Sequence, residues 1–108
     1  MLRIQSFIVD TLVVLRPLIE RVSAHDPDIA RQLRRASASI AFNVAEGEYS
    51  QGRNRVARFY SALGSANETL VGLQVASALG YIDVLPVDTV ERMRKIIGTL
   101  VKLVKAKS

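Results

Sequence analysis

The 108-residue chain carries 15 Lys and Arg against 10 Asp and Glu, for a net charge of +5, and 49% of its residues are hydrophobic. That length supports one domain with a real core but little room for an elaborate active site, and the apolar fraction excludes a disordered tail. Disulfides and thiolate metal sites are excluded because there is no cysteine, and three prolines with six glycines favour long helices over a turn-rich β fold.

The opening stretch, MLRIQSFIVDTLVVL, places Arg3 before an apolar run as a signal peptide would. Asp10 interrupts the run, no small-residue cleavage site follows, and Arg16, Glu20 and Arg21 continue the same period. The segment reads as a helix of the mature protein over about residues 3–24, with Ile8, Leu12, Leu15, Ile19 and Val22 on one stripe. Pro17 removes a backbone donor and is expected to kink this helix or divide it in two. No apolar segment reaches the ~18 residues of a membrane span, so a cytoplasmic location without a membrane partner is expected.

Asp26-Pro27 has the form of an N-cap followed by proline at the first helical position. From there Ile29, Leu33, Ala36, Ile40 and Asn43 carry a second helix over about 27–46, with Gly47 as its stop. Asn43 falls on that seam and is expected to act as a buried hydrogen-bonding group that fixes register. GEYSQGR, residues 47–53, reads as a polar loop. A third helix over about 54–79 uses Val56, Phe59, Leu63, Ala66, Leu70 and Leu73 and ends at Gly80. Its Gly64-Ser65-Ala66 patch is expected to let a neighbour approach closely. After a connection from Asp83 to Asp88, in which Asp88 and Glu91 have capping-box spacing, a fourth helix over about 87–105 uses Val90, Met93, Ile97, Leu100 and Val104. Four such helices with short links predict a single all-α domain, an up-down-up-down antiparallel four-helix bundle. Val13, Val14, Leu18, Val71, Ile96 and Val101 lie outside the stripes, which points to a subunit interface and a homo-oligomer.

Candidate chemistry is sparse. His25 is the only histidine, so no zinc set, paired Glu-x-x-His di-iron motif or hydrolytic triad can be assembled around it. The glycines form no phosphate-cradling loop. Glu46 and Glu68 could share acid-base work only if they faced each other, and read instead as hydrogen-bond acceptors or surface acids. The expectation is a protein without catalytic activity, metal or cofactor.

Charge is more suggestive. Arg53, Arg55 and Arg58 give residues 47–60 a net +2, and residues 86–108 carry +4. Arg94, Lys95, Lys102 and Lys105 share the side of the fourth helix opposite Val90, Ile97 and Val104. Basic outer faces are commonly just solvated, but these two, repeated around an oligomer, have the footprint of a surface that binds an RNA or DNA backbone. Tyr49, beside the arginine loop, is placed to stack on a base.

Three segments also carry a resemblance. Arg35, Ala36, Ser39, Ile40, Asn43, Ala45, Glu46 and Gly47, then Phe59, Gly64, Ser65 and Glu68, then Leu79, Gly80 and Tyr81 match R-A-x-x-S-I-x-x-N-x-A-E-G, F-x-x-x-x-G-S-x-x-E and L-G-Y. This combined motif resembles that of the 23S rRNA intervening-sequence proteins, a family that includes the accessory variability determinant of diversity-generating retroelements. The resemblance spans about residues 5–105; Pro17 and a short first segment depart from the pattern. It implies an up-down bundle assembled as a ring-shaped homopentamer. For the retroelement branch it implies a basic surface that binds nucleic acid and a reverse transcriptase. Many members are encoded in ribosomal RNA insertions or elsewhere in bacterial genomes without an assigned activity.

Overall fold

A computed structural model describes residues 2–107, and their side chains as far as Ala106, leaving the Lys107 side chain of the basic C-terminal stretch outside the described residues. Four helices follow one another: α1 (Arg3–His25), α2 (Pro27–Tyr49), α3 (Gly52–Ala78) and α4 (Val87–Lys107). No strand occurs among the described residues. Contacts along the chain show how the helices run. Leu2 N–H donates to Glu48 and Gln5 Nε2 to the Ala41 carbonyl, so α1 and α2 are antiparallel. Gly47 meets Phe59, Ser39 meets Ser65 and Gly72 meets Leu33, so α2 and α3 are antiparallel too. Arg92 reaches back to Thr11 and Lys95 to Phe7, which closes α4 against α1. The bundle measures 42 × 24 × 20 Å.

One continuous helix runs through Pro17. The proline is exposed, on a side where water can take the carbonyl that loses its donor. Asp26 ends α1 and starts α2: its N–H donates to the Val22 carbonyl at 2.8 Å, and its Oδ1 accepts from the N–H groups of Asp28 and Ile29, both at 3.1 Å.

The buried stripe of α2 is Ala30, Leu33, Ala36, Ser37, Ile40, Val44 and Gly47. Two expectations are corrected here. Asn43 is half-buried at the edge of the stripe, and Val44 takes the core position. Gly47 does not stop the helix, which continues to Tyr49. A Cβ at Gly47 would lie 2.5 Å from Phe59 Cε1, so this glycine serves a close helix contact. The expected seven-residue loop shrinks to Ser50-Gln51, and Gly52, with φ of 57°, supplies the left-handed residue that opens α3.

The core of α3 is Phe59, Ala62, Ala66, Thr69, Leu73 and Ala76, with Val56, Leu63 and Leu70 half-buried beside it. The small-residue approach falls at Gly72, where a Cβ would meet Leu33 Cδ2 at 2.7 Å. Gly64 instead faces outward, and a Cβ added there would have nothing within 4 Å, contrary to the expected contact. Gly80, with φ of 81°, ends the helix as expected. Tyr81 N–H donates to the Ala76 carbonyl and Gly80 N–H to that of Ser77, a Schellman closure.

In α4 the buried side chains are Thr89, Met93, Ile96, Leu100 and Val104, with Val90 and Ile97 half-buried, so the seam sits slightly round from the one expected. Asp88 lies within the first turn and pairs with Arg92 at 3.2 Å, and does not cap the helix. Leu18 and Ile96, expected to be surplus to the core, are buried in it, whereas Val13 remains 66% exposed. Each Leu or Ile buried in this way contributes roughly 1.5–3 kcal/mol against the entropy of ordering the chain.

Candidate nucleic-acid interface

The buried stripe of α4 fixes what its other side presents. At 100° per residue, Arg94, Lys95, Lys102 and Lys105 fall in an arc opposite Met93, Ile96 and Leu100, and all four are exposed. Arg94 and Lys102 have no carboxylate partner among the described residues. The Lys95 ammonium also rests 4.4 Å from the centre of the Phe7 ring, which the Arg92 guanidinium approaches at 4.9 Å. Arg92 is tied further to Asp88 and to Thr11 Oγ1, so it fastens α4 to α1.

The three arginines at the start of α3 separate into two roles. Arg55 is half-buried: its guanidinium donates to the carbonyls of Gly47 at 3.0 Å and Glu48 at 3.4 Å and lies 4.9 Å over the Phe59 ring. It closes the C-terminal end of α2, where the last carbonyls lack helical donors. Arg53 and Arg58 are exposed, and Arg58 borders a polar notch with Ser50, Asn54 and Ser61.

The motif residues of α2 and α3 converge on one groove. Ser65 Oγ donates to Ser39 Oγ at 2.9 Å, and Asn43 Nδ2 donates to the Ser39 carbonyl and hydroxyl at 3.0 and 2.9 Å. Arg35 and Glu68 are exposed on its outer margin, where with Gln32 they line an open cleft. Glu46 sits seven residues beyond Ser39, roughly 10 Å along the helix, so Glu46 and Glu68 do not face each other. Gly64 is outside this groove. No group of three or more His, Asp or Glu side chains able to hold a metal gathers among the described residues, and no helix there is long and apolar enough to cross a membrane.

Tyr49, singled out from the sequence, is 89% exposed, and Phe42, which a reading of the sequence misses, is 71% exposed; both project from the outer face of α2. The signal for Phe42 is its place two residues after Ile40, some 200° round the helix from the core stripe.

A bundle of this kind, with a polar seam between its second and third helices and a basic outer edge, defines a small all-α helical-bundle protein. The chain belongs to the 23S rRNA-intervening sequence protein family, whose model matches residues 13–106. A crystal structure of a protein of unknown function from the S23 ribosomal protein family of Bacteroides thetaiotaomicron shares the fold. That protein is 22% identical, the alignment covers 94% of this chain and 97% of the other, and the TM-score is 0.78. No curated protein matches the sequence.

Proposed function

We propose that the protein is a non-enzymatic, oligomeric accessory protein of the cytoplasm that binds an RNA or DNA backbone through its basic surface. The observation that carries this reading is the outward row of Arg94, Lys95, Lys102 and Lys105 along α4, with Arg94 and Lys102 unpaired among the described residues. Arg53 and Arg58 add exposed charge at the start of α3, while Arg55 is withdrawn into the fold. Exposed cations in a row neutralise phosphates and release counterions, so affinity should fall steeply with salt. The test is binding of a generic structured RNA and a DNA duplex across a salt series by the wild type and by Arg94→Glu/Lys102→Glu. The variant should lose affinity for all sequences alike. Unchanged affinity would remove α4 as the binding surface.

The assembly proposed is a homopentameric ring, supported by the family resemblance and by apolar side chains that the protomer leaves outside. From Phe59 to Ile82 the only charged residue is Glu68, and Tyr60, Val71, Val75 and Leu79 of this stretch are exposed. The same face, whose one charge is Glu68, favours a second reading, a scaffold that presents repeated sites to a protein such as a reverse transcriptase without touching nucleic acid. Light scattering with and without RNA separates the two. A ring that takes up RNA at low salt supports the first, and a ring that ignores RNA at every salt supports the second.

A further inference from the structure

We propose that the outer face of α2 is a base-stacking surface for single-stranded RNA, with Phe42 and Tyr49 as its platforms. This rests on the nucleic-acid reading above and adds to it a surface distinct from α4. The two rings are seven residues apart, which places them on one side of the helix roughly 10 Å from each other. Neither ring serves the core, and such exposed rings are where unpaired bases stack. The stretch between them is flanked on one side by Ala45, too short to block a base, and on the other by the exposed Glu46.

Cations bracket the rings. Arg35 is one further seven-residue step toward the helix start on the same side and has no carboxylate partner among the described residues. At the other end Tyr49 is followed in the chain by Ser50, which lines the notch with Asn54, Arg58 and Ser61, and Arg53 is exposed in the same first turn of α3. Guanidinium groups at both ends of an aromatic pair suit a strand whose phosphates and bases alternate, and favour a polynucleotide over an apolar protein segment. The hydroxyls and amide of the notch can also bond a ribose 2′-OH, so RNA is the occupant proposed. A duplex cannot use it, because paired bases keep their faces inside the stack. Glu46 is the exposed carboxylate on this side and opposes phosphate.

The experiment uses the full chain and a labelled oligouridylate of about 12 nucleotides, followed by fluorescence anisotropy. Phe42→Ala/Tyr49→Ala should weaken binding about 10-fold or more while leaving the salt slope unchanged, since rings and not phosphate contacts are lost. Phe42→Tyr/Tyr49→Phe should restore the affinity, and binding of a blunt RNA duplex should be indifferent to either variant. Arg35→Gln/Arg58→Gln should instead flatten the salt slope by about 0.7 for each phosphate contact removed. Glu46→Gln should tighten binding. Circular dichroism checks that these surface variants keep the fold. If the wild type binds neither RNA, the nucleic-acid reading fails and this inference falls with it. If the wild type binds but the double alanine variant matches it, the inference alone is overturned. Equal affinity for oligothymidylate would overturn the assignment to RNA, and loss of a copurifying protein with RNA binding intact would overturn this surface as a polynucleotide site.

Discussion

At Gly47 any side chain would run into Phe59, which is fully buried, so neither helix can yield without disturbing the core. Gly47→Ala is therefore expected to cost about 1–3 kcal/mol in urea unfolding, and Phe59→Leu in the same chain to recover part of it. Gly64 has open space around it, and Gly64→Ala should stabilise the protomer by about 0.5–1 kcal/mol through helix propensity alone. Both glycines belong to the same sequence motif, and nothing in their spacing tells a contact glycine from a surface one. The distinction depends on the partner helix, which periodicity does not specify. Arg55 shows the same limit: it reads like Arg53 and Arg58, yet its guanidinium caps α2 and covers Phe59. Arg55→Ala should cost about 1–2 kcal/mol of stability, a value set by its charged hydrogen bonds and ring contact, without changing the salt dependence of nucleic-acid binding.

The helices themselves are largely legible in the sequence because their ends carry chemistry. Asp26 with Pro27 defines the turn between α1 and α2, and Asp26→Ala is expected to cost about 1 kcal/mol in thermal or urea unfolding. Gly80 marks the end of α3 through the left-handed residue that its closure requires. The break between α2 and α3 is harder to place because two glycines lie five residues apart there, and the inner one, Gly47, has the stronger appearance of a terminator. The α4 seam is ambiguous by a fraction of a turn because Ile96 and Ile97 are adjacent and only the fold says which points inward. Among the neighbouring helices, packing is most extensive between α2 and α3 and least between α1 and α4. Amide hydrogen exchange should accordingly be slowest in α2 and α3, with α4 the first helix to lose protection as denaturant is added.

For the molecule as a whole, the protomer resolves the question of surplus apolar residues only in part. Leu18 and Ile96 enter the core, while Val13, Val71 and the α3 surface remain in contact with solvent. If that surface closes the proposed ring, Val71→Asp should yield a folded monomer by light scattering, with its helical circular dichroism intact. Retention of the wild-type mass would assign the interface elsewhere. The basic row on α4 is legible in the sequence from helical spacing, and Tyr49 from its place beside the arginines, whereas the withdrawal of Arg55 and the exposure of Phe42 depend on which side each helix buries.

At the end of the bundle where α1 turns into α2, the Tyr81 ring stacks on His25 with centroids 5.4 Å apart and planes 7° from parallel, and its hydroxyl reaches toward Asp26. The α3–α4 connection is thus fastened to the α1–α2 turn through Tyr81, by its ring on His25 and its hydroxyl on Asp26. Because the chain has one histidine, its imidazole gives one resolvable set of proton resonances, displaced by the ring current of a single tyrosine. That displacement is a built-in spectroscopic gauge of the fastening, able to register the opening of this end separately from the melting of the helices.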